Sequence, residues 1–152
     1  MSEDDVPAGM QAVTPHLVCE GAADALDFYA RAFGAEEMMR LAGEDGRLMH
    51  GAFRINGATI MVADAFPEYG SKGPRALGGT PVTIHLYVDD VDAWTERAVA
   101  AGATVVMPVG DQFWGDRYGI VADPFGHHWS IATPGKNGPK NEEELRAAMA
   151  RA

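Results

Sequence analysis

Apolar and polar positions alternate along residues 13–19, with Val13, Leu17 and Cys19 set against Thr14, His16 and Val18. A two-residue period puts successive side chains on opposite faces, so this segment is predicted to be a strand, ended by Gly21. The period then changes. Ala22, Ala25, Leu26, Tyr29 and Phe33 fall at helical spacing, with Asp24 in the first turn and Gly34 at the end. Three more strands are predicted at 36–42, 47–55 and 58–64, separated by a Gly-Glu-Asp-Gly turn at 43–46 and the hairpin dipeptide Asn56-Gly57.

The same order of strand, helix and three strands returns. Residues 82–88 are rich in β-formers, Asp89-Asp90 offers a helix cap, 91–101 is helical until Gly102, and 104–109 is extended. Strands at 117–122 and 127–133 flank the turn Asp123-Pro124-Phe125-Gly126. The two halves also share residues. Thr14-Pro15-His16-Leu17 recurs as Thr83-Ile84-His85-Leu86, and Asn56-Gly57 as Phe125-Gly126, both at an offset of 69. Gly34-Ala35 matches Gly102-Ala103 with a slip of one residue, which assigns the only length change to the helix or its flank. A constant offset at both ends of a long segment points to a copied unit.

The fold class predicted is therefore α+β, one domain at 12–133 made of two βαβββ modules, 12–64 and 82–133. A Gly- and Pro-rich linker at 65–81 joins them, residues 1–11 are expected to be flexible, and the tail at 134–152 ends in a short surface helix with its carboxylates first.

Alternation also sorts the faces. Leu17 and Cys19, then Ile84, Leu86 and Val88, should pack beneath the helices. Thr14, His16 and Val18, then Thr83, His85 and Tyr87, should line the concavity that the two sheets enclose. Carrying the offset of 69 to the other strands adds Met61 and Ser130, with His128 beside the latter, and sets His50 opposite Gly119 and Arg117 opposite Leu48. The candidate ligand-binding residues are His16, His50, His85 and Tyr87 inside, with Trp114 and Arg117 at the lip. Each has a structural alternative. The histidines can be hydrogen-bonded polar residues of a wet cavity, and Arg117 can pair with Asp116 or Asp123 instead of a ligand anion. Phe113, Trp114 and Tyr118 can form a lid over an apolar ligand or a local hydrophobic plug. Trp129 alternates onto the packed side, and His127 is expected to face out with its turn.

Composition narrows the functions. At 152 residues and 47% hydrophobic content the chain can build a proper core, and no run approaches the ~18 to 20 apolar residues of a membrane span. The acidic start, Met1-Ser2-Glu3-Asp4-Asp5, is unlike a secretory signal, and the single Cys19 suits a reducing compartment, so a cytoplasmic location is expected. A formal charge of −10 repels phosphate backbones, which argues against nucleic acid as a partner.

Three stretches carry a family resemblance: ADALDFYARAFGAE, LYVDDVDAWTERAVAAGATV and FWGDRYGIVADPFGHHWSIATP. They resemble the vicinal-oxygen-chelate superfamily of glyoxalase I, bleomycin-resistance proteins and extradiol dioxygenases. WGDR followed by DPFGHxW is similar to its PhnB-like branch. The resemblance implies paired modules curled into a half-barrel around a small-molecule site, often in a homodimer, with one divalent metal held on four strands. Carried over residue by residue, the ligand positions fall on Thr14, Met61, Thr83 and Ser130, none of them a good donor. The expected function is that of a PhnB-like protein that binds a small organic molecule without the usual metal site. The alternative is a metal-dependent lyase, isomerase or dioxygenase whose divalent metal has moved to His16 and His85, with His50 as a further donor. A third class is an interaction domain that has lost its ligand.

Overall fold

The apolar stripe of residues 22–33 becomes α1 (Ala22–Phe33) in the computed structural model of the chain, which describes all 152 residues. Gly34 ends it in the left-handed region at φ 63°, where a side chain would be strained. Its counterpart α3 spans Val91–Ala101. The first amides of both helices lack partners within the helix, and each module supplies one from the end of its last strand. Asp64 Oδ1 accepts from Gly21 N at 2.9 Å and Ala22 N at 3.0 Å, and Thr133 Oγ1 accepts from Val91 N at 2.8 Å. The repeat thus preserves a capping role while exchanging a carboxylate for a hydroxyl.

The strands are β1 (His16–Cys19), β2 (Glu36–Ala42), β3 (Leu48–Ile55) and β4 (Ala58–Asp64) in the first module. The second holds β5 (Thr83–Tyr87), β6 (Thr104–Asp111), β7 (Arg117–Ala122) and β8 (His128–Thr133). They form two four-stranded sheets ordered β1-β4-β3-β2 and β5-β8-β7-β6, in which only β1/β4 and β5/β8 run parallel. The first strand is shorter than predicted. Pro15 has no amide to give, β1 begins at His16, and Thr14 lies outside it with its hydroxyl donating to Gln11 O at 3.0 Å.

One core spans both modules. Phe28, Tyr29 and Phe33 of α1 pack with Phe53, Phe125 and Trp129, and Trp129 is 0% exposed, on the packed side as expected. At its centre Asp123 Oδ2 accepts from Tyr29 Oη at 2.6 Å and Trp129 Nε1 at 2.9 Å, tying module one to module two. Cys19 is buried beside this group, and burial first, then Asp123, pushes its thiol up to about 12. It is a packed strand residue and an inert thiol at neutral pH.

One expectation needs correcting. His127 does not face out: its Nε2 lies 2.8 Å from Val18 O at the end of β1. The mirror-image contact is Asn56 Nδ2 to Tyr87 O at 3.0 Å, so each module's hairpin turn touches the end of the other's first strand. The N-terminal segment, in turn, is tied down at its end. Gln11 and Thr59 exchange two hydrogen bonds, and Gly9 O accepts from Thr59 Oγ1 at 2.6 Å. The linker carries a short helix, α2 (Pro74–Leu77), whose Arg75 guanidinium donates to Pro124 O of module two. The tail ends in α4 (Glu142–Arg151), capped by Asn141.

Candidate functional site

Strand register decides which side chains share a face, because a slip of one residue turns every side chain over. Gly51 pairs with Val62 in module one and Gly119 with Ile131 in module two. The correspondence between β3 and β7 is therefore one residue short of 69, and the offset recovers only in the hairpin, where Pro124-Phe125-Gly126 stand for Asn56-Gly57. There are two length changes, not one. His50 is equivalent to Tyr118 rather than Gly119, so Tyr118, expected only in the Phe113-Trp114 cluster, also stands on the face that carries His85. Counting the hairpin loops, two residues against three, is the signal that would have found it.

The same correction moves Arg117. Val121 of β7 is buried in the core, so Gly119 and Arg117 lie on the helix side with it. The Arg117 guanidinium meets Asp92 in the first turn of α3, Nε to Oδ2 at 2.7 Å and Nη2 to Oδ1 at 3.1 Å, and also Asp111 at 3.1 Å. It is an ion-paired residue facing away from the His85 side. Its partners are Asp92 and Asp111, not the Asp116 or Asp123 that sequence proximity offered.

Module one turns His16, Val18, His50, Met61 and Ala63 outward. A bulge between the Leu41–His50 and Ala42–Leu48 pairs leaves Met49 as the extra residue, so Leu48 enters the core while Met49 joins the outer face. Together with Phe66 and Tyr69 of the linker, His16, Val18, Met49 and Ala63 line a cavity of about 660 Å³. At its rim Arg47 sits 4.2 Å from the Phe66 ring centre and pairs with Asp45 and Glu68, each at 2.7 Å. The His16 and His50 rings meet edge to face at 6.4 Å.

Burial first, and then the neighbouring His50, holds His16 below the ordinary imidazole value of 6.5. The folded chain therefore binds this proton less readily than the unfolded one. The stability His16 contributes is fully present above the unfolded pKa and is lost as pH falls through the folded one. In an NMR titration His16 should protonate below 6.5, and His50→Gln should raise it only part of the way, since burial is the larger cause. Full recovery to the ordinary value would assign the whole shift to His50.

Module two presents an aromatic row. His85 Nδ1 lies 2.7 Å from Ser130 Oγ, which holds the ring upright between Tyr87, edge-on at 4.6 Å, and Tyr118, stacked at 5.9 Å. Trp114 stands edge-on to Tyr118 at 5.3 Å, its Nε1 donating to Asp116, and Phe113 follows at 5.1 Å. Tyr87 is 58% exposed, a large aromatic surface left to solvent.

Five of the six candidate residues thus lie on outer faces: His16 and His50 on module one, His85, Tyr87 and Trp114 on module two. One chain does not bring the two groups together. The cavities lined by His16 include neither His85 nor Tyr87, and β1 and β5 belong to separate sheets. Between them lies a seam of about 360 Å³ walled by Pro15 to Val18, Pro81, Val82, Ile84 and the linker residues Lys72, Pro74 and Leu77. The donor set does not fit a divalent metal. Thr14 is off the strand, Ser130 is engaged by His85, Met61 offers a thioether, and nowhere do three His, Cys, Asp or Glu side chains gather. The relocation to His16 and His85 fails because the two line no common cavity, and His16 with its neighbour His50 makes only a pair of imidazoles.

Comparison with known families settles what this architecture is. Residues 11–131 match the model of the glyoxalase/bleomycin resistance protein/dioxygenase superfamily. The chain belongs to that superfamily. Its superfamily relatives include Rv0887c of Mycobacterium tuberculosis, an uncharacterized protein 57% identical over 141 residues that cover 91% of this chain and 82% of the relative. Among solved structures, TioX from Micromonospora sp. ML1 is similar at 29% identity and a TM-score of 0.65, over 81% of this chain and 98% of its own. The PhnB protein from Bacillus cereus shares the fold at 20% identity and a TM-score of 0.64, over 81% of this chain and 99% of its own.

Proposed function

We propose that this chain is a PhnB-like binding protein for a small organic molecule with a flat unsaturated group, acting without the superfamily's usual metal. The observation that carries the reading is the partly exposed row of Trp114, Tyr118, His85 and Tyr87, braced by Ser130. Aromatic faces stack on planar ligands at low entropic cost, and the few polar atoms beside them orient what is bound. The module-one cavity, with Val18, Met49, Phe66 and Tyr69 as walls and His16 as the polar group, offers a second half of such a site. We propose further that two copies associate in the cytoplasm, so that these half-open faces are closed by a partner.

A panel of planar aromatic compounds should raise the melting temperature in proportion to the logarithm of concentration. Tyr118→Ala should weaken the strongest of them about ten-fold, the loss of one aromatic contact. Elemental analysis after dialysis against zinc, nickel and manganese should find no stoichiometric metal. Turnover of the glutathione hemithioacetal of methylglyoxal that chelator abolishes and nickel or zinc restores would overturn the proposal.

A further inference from the structure

The tail lies beyond the family match, which ends at residue 131. It crosses the 112–116 loop backbone against backbone. A Cβ at Gly138 would lie 3.0 Å from Gly115 Cα and 3.1 Å from Trp114 O, and one at Gly135 would fall on Gly115 O. Only glycine allows so close an approach. The loop is closed on itself by Gln112 N to Asp116 O at 2.9 Å and Gly115 N to Gln112 O at 3.0 Å, and it carries Phe113 and Trp114. Beyond the crossing, α4 buries none of its residues and leaves a groove of about 730 Å³ against Phe113, walled by Ala147 and Ala148. The tail is therefore held to the domain chiefly where its glycines meet the loop.

We propose that the tail is a strap that sets the position of the Trp114 loop over the aromatic face of module two, with Gly135 and Gly138 as positioning residues for the ligand site. This rests on the binding role assigned to that face. Detaching the strap frees the loop, and with it the edge of the site that Trp114 supplies.

The test compares the unaltered protein with Gly135→Val and Gly138→Val, neither of which sits at a backbone angle that a side chain resists. Amide hydrogen exchange at residues 112–116 should accelerate about ten-fold or more in both, with the melting temperature held within a few degrees, because local opening is independent of global unfolding. Affinity for anilinonaphthalene sulfonate, a flat aromatic probe, should fall several-fold. Unchanged exchange in the loop would overturn the strap. Faster exchange with unaltered probe affinity would overturn its positioning role. A probe that fails to bind even the unaltered protein would count against the binding reading, while exchange would still decide whether the strap exists.

Discussion

Asp123→Ala is expected to be among the most damaging single substitutions in this chain, at roughly 3 to 5 kcal/mol, because it strands several buried donors at once. The carboxylate accepts from Tyr29 Oη, Trp129 Nε1, Phe125 N at 2.9 Å and His127 N at 3.0 Å. The first two come from different modules, and the last two hold the hairpin whose His127 reaches back to Val18. For a domain of this size the loss corresponds to about 10 °C in melting temperature. Chemical denaturation with tryptophan emission as the signal would measure it. A loss below about 1 kcal/mol, the worth of one ordinary hydrogen bond, would show that water replaces the carboxylate and that the network is dispensable.

A second pair of substitutions separates core from site. Trp129→Ala should cost roughly 3 to 5 kcal/mol, since the ring is fully buried among Tyr29, Phe33 and Ile131 and leaves a cavity. Trp114→Ala should leave stability within about 1 kcal/mol, because its neighbours are the partly exposed Phe113 and Tyr118 on the outer face. Its effect should emerge instead in ligand affinity, weakened several-fold. Equal destabilisation by both, with affinity per folded molecule unaltered, would make Trp114 a hydrophobic plug rather than a lid.

The paired modules were readable because burial imposes period on sequence. Helical spacing from Ala22 to Phe33 and alternation from Ile84 to Val88 each report one face packed against a core, and both recur at nearly the same offset. The candidate site was readable to the extent that alternation alone settles facing. His16, His85 and Tyr87 turned outward from the core side because their strands are regular. Arg117 did not, because its face depends on a loop length in the next hairpin, and a one-residue error there inverts the strand. Met49 was hidden for a related reason: a bulge adds a residue without leaving a pattern in the letters around it.

The sequence by itself determined the α+β class, the two modules, and the outward set of His16, His85 and Tyr87. These are properties of local periodicity and residue chemistry, which need no knowledge of the partner strand. Only the tertiary structure decided that Tyr118 stands where Gly119 was expected, that Arg117 belongs to Asp92, and that His16 and His85 line no common cavity in one chain. It also decided that Asp123 joins the modules through Tyr29 and Trp129, residues 94 and 6 positions away along the chain. Those outcomes depend on register and on contacts between distant segments, and neither leaves a period in the sequence for the eye to find.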